Sequence, residues 1–474
     1  MRQISLAQIQ EALEQSQITY KIVKAEAQNF KAIGTDTRLD LSGNLFIALV
    51  GEAFDAHDFI AAALEKGASG ILTHKKLTPE LQSQAATIIE VPDTLLALQA
   101  LGRWARRQFK GKVIGITGSN GKTTCKEFTA AVAGKFCHVH YNKGSFNNHW
   151  GVPFTLLQIP STAEVAVIEM GMNHAGEITQ LSSMVEADVV VCTTVGRAHI
   201  EHFGTVEKIA AAKEEIYVAA KPTAKFVFNL DNIHTFGMCQ RHQDGKRSVV
   251  TFSSDSSKQA DVQLQIKTLN LESLEIEGVI QGKAQTVAVP VFGAHNVINL
   301  MAAASLALAI GLNPEQVWQG LSECKNAWGR NQLLNSPLGA KIVFDAYNAN
   351  PDSMKALLEN VSRISDFKKK VGVFGEMLEM GEQSGALHFE LGQVVAKAKL
   401  DTVFFIGKPH QEFKKGLESE SFKGQILAQA EFSGALAEQL GSAVGAGDLV
   451  VFKGSRGMKL ERFLSSLNVD LPKS

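Results

Sequence analysis

The run Thr117-Gly118-Ser119-Asn120-Gly121-Lys122-Thr123 follows an apolar stretch, Val113 to Ile116, and leads into a helix-compatible segment. That order of residues grips phosphate. Small glycines let successive backbone N–H groups point at one anion, the helix start adds its positive dipole end, Lys122 reaches the outer phosphates, and the Thr123 hydroxyl can ligate magnesium. The strict G-x-x-x-x-G-K-[ST] spacing would put its first glycine at Ile116, whereas glycines stand at 115 and 118. The segment is therefore a variant phosphate loop with Gly121-Lys122-Thr123 intact at a strand-to-helix junction.

In an open parallel sheet, ligands collect at the carboxyl ends of strands. The polar residues that end apolar runs are thus the ones to weigh. Glu169 follows Val165 to Ile168, and His199 lies beyond Val189 to Ala198. Alone, the first reads as a solvated strand end and the second as a hydrogen-bonded loop histidine. Behind a phosphate loop they suit a magnesium nucleotide. Lys213 continues the apolar stripe of Val206, Ile209, Ala210, Tyr217 and Ala220. Either its stem snorkels to water, or it is desolvated and its neutral amine can take up carbon dioxide as a carbamate. Asn296 and Asn299 open an Ala-rich helix. Asn296 is either its N-cap or part of an adenine site, and Asn299 either points outward or pairs with adenine through its amide. Arg330 could be delivered from a further domain to phosphoryl charge, or form a surface ion pair. Asp345 ends a strand before Tyr347-Asn348-Ala349-Asn350-Pro351, where a turn cap is the plain reading, and Lys453 to Arg456 could hold a carboxylate or form a solvated turn.

The elements that must position these residues follow from hydrophobic patterning. Strand-like runs at 112–117, 164–169, 188–194 and 225–229 alternate with helices, as do 341–345, 370–374, 402–406 and 448–452. Both series predict parallel α/β sheets. Val297 to Ile310, closed by Gly311, predicts a buried helix. Short apolar runs at 44–50, 70–73 and 87–91 predict a smaller α/β unit before a connecting helix over 95–109. A chain of 474 residues exceeds one core and divides into about three domains. Lys+Arg at 47 against Asp+Glu at 48 leaves no field for a polyanion, which argues against nucleic acid as a partner. The five cysteines, at 125, 137, 192, 239 and 324, are odd in number and widely spaced, which fits a reducing cytoplasm better than a disulfide framework. No run is long and apolar enough for a membrane span.

Together these residues resemble the Mur ligase family, ATP-dependent enzymes that add amino acids to the cell-wall precursor. Thr117 to Thr124 looks like the family phosphate loop, Glu169 and His199 like its magnesium ligands, and Lys213 in Ala212-Lys213-Glu214-Glu215 like its carbamylated lysine. Gly293 to Asn299 looks like the adenine site, and Arg330 with Asp345 like residues that close over the nucleotide. Asp36-Thr37-Arg38 and the stretch Phe54 to Phe59, with His57, are similar to the segment that holds the uridine nucleotide. Phe146-Asn147-Asn148 and Asp345 to Met354 look like the branch that adds D-alanyl-D-alanine. Asn142, Ser145 and Phe344 depart from that branch's pattern.

The resemblance implies an N-terminal UDP-substrate-binding domain over 1–105, a central P-loop domain over 106–326 and a Rossmann-like domain over 327–474 that closes over ATP. It implies ATP and two magnesium ions, one held through Thr123 and Glu169, the other through His199 and carbamylated Lys213. Catalytic roles fall to Lys122, His199 and Lys213, and contact with the UDP substrate to Asp36, Thr37, Arg38, His57, Asn147 and Asn148. The implied substrates are UDP-N-acetylmuramoyl-tripeptide and D-alanyl-D-alanine, and a monomer is expected. A switch or motor ATPase, a folylpolyglutamate synthase and a non-catalytic scaffold are the rival readings. Turnover that ignores an amino acceptor would mark the first of these.

Overall fold

The computed structural model describes residues 3–51, 54–144 and 146–470, so Ser145 lies outside the described residues. The described residues fold as mixed α/β with four sheets. A five-stranded N-terminal sheet runs in the order Lys21–Ala25, Thr87–Glu90, Gly70–Thr73, Leu45–Ile47, Ile33–Gly34, parallel except at its first pair. The Ile, Leu and Phe residues of its four parallel strands are buried, as strands covered on both faces require. The 15-residue helix Thr94–Gln108 leaves this sheet with Asp93 as its N-cap. Its Arg106 is buried and donates to the carbonyls of Val185 (2.7 Å) and Glu186 (2.8 Å), tying the N-terminal unit to the next one.

The central sheet has nine strands. Lys112–Thr117 lies between Val189–Cys192 and Val165–Glu169, parallel to both. Its C-terminal end is thus flanked by the ends of the two strands that lead to Glu169 and to Thr193. The far side departs from the fully parallel sheet the sequence predicts. Val262–Leu269, Leu274–Ile280 and Lys283–Val289 form antiparallel ladders. Their alternation of apolar with Gln, Lys and Glu gives one buried face, and Gln281 and Gly282, both at positive φ, turn the last hairpin. The helix Asn296–Ile310 is buried along nearly its whole length against this sheet.

The C-terminal sheet is six-stranded, with order Gln332–Asn335, Lys341–Asp345, Leu449–Lys453, Lys370–Gly375, Thr402–Ile406, Gln425–Gln429. Only its first strand is antiparallel. Phe344 points into this core, packed on Phe452 and Trp328, which accounts physically for an apolar residue just before Asp345. The N-terminus of the helix Pro351–Arg363 docks on the phosphate loop: Asn350 Nδ2 donates to Asn120 Oδ1 at 2.8 Å.

Candidate active site

The helix Lys122–Gly134 has Gly121 as its N-cap, at φ 81° and with no side-chain cap, which leaves its first amides for a ligand. Both loop glycines are obligatory. A Cβ on Gly121 would lie 2.2 Å from Asn299 Oδ1, and one on Gly118 (φ 147°) would lie 2.0 Å from Thr193 Oγ1. Thr193, at the end of the neighbouring strand, braces the loop by donating to the Asn120 carbonyl at 2.6 Å. Ser119 exchanges hydrogen bonds with Gly196, with its hydroxyl donating to the Gly196 carbonyl and accepting from the Gly196 amide. Lys122 Nζ donates to the Gly118 carbonyl at 2.7 Å, and burial lowers its pKa, with Glu169 opposing that shift.

Glu169 is buried and its two oxygens differ. Oε1 accepts from Asn147 Nδ2 at 2.7 Å, whereas Oε2 has no hydrogen-bond partner and lies 3.6 Å from Lys126 Nζ. Lys126 is wholly buried and donates to the carbonyls of Asn142 (2.7 Å) and Gly144 (3.2 Å). Asn142 in turn clasps the Glu169 backbone through both its amide N and O. This network was missed from sequence, although a lysine one helical turn after Lys122 is a signal that it faces the same loop.

Lys213 is only 1% exposed, so it does not snorkel. Burial, followed by the charge of Lys122, lowers its pKa to about 7, leaving much of the amine neutral at physiological pH. The acidic residues after it serve the scaffold: Glu214 pairs with Arg241 and His242, and Glu215 accepts from the amides of Gly176 and Thr179. His199 sits in the left-handed region (φ 62°). Its Nδ1 lies 2.7 Å from Glu379 Oε2, at an angle short of hydrogen-bond alignment. Burial lowers the pKa of His199 and the carboxylate opposes this.

Two alternatives for the Ala-rich helix fail. His295, not Asn296, is its N-cap, and Asn296 turns back to donate to the Phe292 carbonyl at 2.7 Å. Asn299 is buried, donates to Asn296 Oδ1 at 3.0 Å and packs on Gly121 rather than pointing outward. Arg330 is not in a surface ion pair. Its guanidinium stacks 4.4 Å from the Tyr347 ring, and Nη2 reaches Thr123 Oγ1 at 3.4 Å. Asp345 is not a turn cap but forms a buried ion pair, 2.6 Å, with Lys453, so the strand-end lysine holds the chain's own carboxylate. Of the residues expected on the UDP substrate, Asp36 and Arg38 pair with each other, with Thr37 between them, and His57 contacts Asp55 at 2.6 Å. Asn148 Oδ1 accepts from the amide of Gly151, the first residue of the helix Gly151–Leu157, whose N-cap is Trp150. Asn147 alone of that group touches the phosphate-loop cluster.

Magnesium fits the first of the two expected positions. It is normally held by one or two carboxylates plus substrate phosphates, so the unpartnered Glu169 Oε2 and the Thr123 hydroxyl suffice on the protein side. Among the described residues no three His, Cys, Asp or Glu side chains gather to hold a metal by themselves.

Fold and site together define a phosphate-loop α/β protein whose C-terminal domain places an arginine on the loop. Three family models cover most of the chain: Mur ligase family, catalytic domain, over 29–106; Mur ligase middle domain over 116–307; and Mur ligase, glutamate ligase domain, over 329–456. The chain belongs to the Mur ligase family. It is 36% identical to the UDP-N-acetylmuramoyl-tripeptide--D-alanyl-D-alanine ligase of Bacillus subtilis, covering 92% of each chain. With the enzyme of that name from Escherichia coli it shares 34%, over 80% of this chain and 81% of that one. Its structure superposes on a crystal structure of MurF from Acinetobacter baumannii with TM-score 0.85 and 29% identity, covering 98% of this chain and 99% of the other. A MurF ligase from Thermotoga maritima, solved in complex with ADP, gives TM-score 0.77 at 28% identity over 92% and 96%. These neighbours share the three-domain architecture. No helix among the described residues is long and apolar enough to cross a membrane.

Proposed function

We propose that this protein joins D-alanyl-D-alanine to UDP-N-acetylmuramoyl-tripeptide at the expense of ATP, forming the pentapeptide precursor of peptidoglycan. The observation that carries the reading is Arg330 of the C-terminal domain reaching Thr123 of the phosphate loop beside buried Glu169. A site built only to bind nucleotide has no need of an arginine from another domain. A phosphoryl-transfer site does.

The tripeptide's terminal carboxylate attacks the γ-phosphorus of ATP, the bond to the bridging oxygen breaks, and ADP leaves an acyl phosphate behind. Two unit charges 4 Å apart repel by roughly 4 kcal/mol at an effective dielectric of about 20. Lys122 and Arg330 offset that repulsion. The amine of D-alanyl-D-alanine then attacks the acyl carbon, loses a proton, and expels inorganic phosphate. Acyl phosphates hydrolyse, so water must be kept out. Domains spanning 1–105, 106–326 and 327–474 are assigned to the UDP substrate, the ATP, and closure with acceptor binding.

Two magnesium ions belong to this proposal, one at Thr123 and Glu169, one at His199 and Lys213. Bound there, magnesium supplies positive charge between the reacting anions. A carbamate on Lys213 would supply the oxygen ligand of the second ion. Its support is the neutral amine that burial maintains, since only an uncharged amine adds carbon dioxide. Adenine contact by Asn296 and Asn299, uridine contact by Asp36, Thr37, Arg38 and His57, a cytoplasmic location and a monomeric state complete the reading.

Phosphate release from ATP, assayed with the tripeptide precursor with and without D-alanyl-D-alanine, tests it. Release that requires both substrates is expected. Release independent of the dipeptide would instead mark a simple ATPase.

A further inference from the structure

Two residues in the left-handed region, one from each of two domains, meet at the active site. His199 (φ 62°) precedes the short helix Ile200–Phe203, and Glu379 (φ 63°) lies on the loop that leaves the strand Lys370–Gly375. A non-glycine residue adopts that conformation only where the surrounding structure holds it. Around Glu379 the anchors are visible. Met377 and Met380 are buried on either side, the Met377 amide donates to His388 Nε2 at 2.9 Å, and the Leu378 amide donates to Ser455 Oγ at 2.9 Å. A Cβ on Gly381 would lie 3.1 Å from Glu201 Cγ, so this loop packs closely on the helix that His199 begins. The fixed loop thus delivers Glu379 Oε2 to 2.7 Å from His199 Nδ1.

A carboxylate only accepts, so a neutral His199 whose ring turns to bring Nδ1 into line with Glu379 carries its proton on Nδ1 and keeps Nε2 as its lone pair. Metal-binding histidines are oriented in this way by an outer carboxylate. We propose that Glu379 is a positioning residue which, when the C-terminal domain docks, holds His199 in the tautomer that can ligate a divalent cation. This inference rests on the ligase reading of the site. Cation binding at His199 then depends on domain closure, so the charge needed for phosphoryl transfer assembles only in the closed enzyme.

The test compares full-length wild type with E379A and E379Q. The His199 tautomer is read by nitrogen-15 NMR, with the signal assigned by its loss in H199Q, and Mn2+ bound in the presence of ADP is counted by electron paramagnetic resonance. Wild type should show Nδ1–H. E379A should shift toward Nε2–H and bind the Mn2+ assigned to His199 about tenfold more weakly. The side-chain amide carbonyl that E379Q introduces still accepts, so that variant should keep the tautomer and recover most of the Mn2+ affinity. Wild-type Mn2+ affinity or an unchanged tautomer in E379A overturns the proposal, as does an E379Q that binds Mn2+ as weakly as E379A. If wild-type ADP release ignores the tripeptide and the dipeptide, the ligase reading fails, whereas the tautomer measurement judges Glu379 separately.

Discussion

At the scale of single residues, the chemistry rests on buried groups that retain unsatisfied capacity. Lys213 is the sharpest case. Its folded pKa of about 7 lies well below the ordinary value of 10.5, so the amine is neutral above about pH 7 and takes up a proton as pH falls through it. Below that pKa, forming the carbamate from the protonated amine releases two protons, so the carbamate is lost steeply in acid, and activity at fixed dissolved carbon dioxide should fall by up to about a hundredfold per pH unit below 7. Lys213→Ala should lose at least about 100-fold in turnover, and acetate or propionate should restore part of it. A folded K213A with wild-type turnover, or one that no carboxylate rescues, removes the carbamate. Lys122→Ala should cut ADP release by a similar factor even without the acceptor dipeptide. Lys126 is a different matter. Replacing it with Met strips the buried Glu169 of its nearby cation and two loop carbonyls of their donor, so urea denaturation should show a loss of about 3–5 kcal/mol. Lys122 was legible from its place in the phosphate loop, Glu169 as the polar end of an apolar run, and Lys213 because it interrupts an apolar stripe. Lys126 was not, because its partners come from a loop some 16 residues further along.

At the scale of elements, the strand–loop–helix unit works through backbone geometry that few residues can adopt. Gly121→Ala places a methyl group against Asn299 at a positive φ. A left-handed non-glycine residue costs of order 1–3 kcal/mol, so ADP affinity by calorimetry should fall about tenfold or more. Gly134→Ala, at the other end of the same helix, meets nothing within 4 Å and should keep wild-type affinity. The parallel strands were legible from continuous apolar runs alternating with helical segments. The three antiparallel strands from Val262 to Val289 were not, because their alternating polar residues resemble surface, and only the neighbouring strand Val249–Ser253 gives them an apolar face to extend. The buried helix after His295 was legible in its extent, yet the role of its asparagines was hidden. Asn296 and Asn299 bond to positions only four and three residues back, and what the sequence concealed is that Asn299 packs against Gly121 of the folded loop.

At the scale of the molecule, the contacts that fasten the C-terminal domain to the central one include Asn350 to Asn120, Asp352 to Arg197, Glu379 to His199, Arg330 to Thr123, and both Asn331 and Asn360 to His295. Sequence motifs announced Arg330, whereas Asp352 and Glu379 show their partners only when the domains are packed. His295 makes this interface sensitive to acid. Burial lowers its pKa to about 4, below the ordinary value of about 6.5. Both the folded and unfolded rings are neutral above pH 6.5. As pH falls from there toward 4 the unfolded ring takes a proton that the folded one refuses, so stability present at neutral pH is progressively lost. His295→Gln should flatten that part of the stability profile in denaturant titrations from pH 7 to 4, and an unchanged slope would remove His295 as its cause. The central claim is that the loop, the buried carboxylate and the docked arginine serve transfer of phosphate onto a carboxylate. Its most direct test labels the tripeptide's terminal carboxylate with oxygen-18 and follows the phosphate released on reaction with D-alanyl-D-alanine. The attacking oxygen departs with phosphorus, so one labelled oxygen in each phosphate is predicted. Unlabelled phosphate formed together with the amide product would contradict the account.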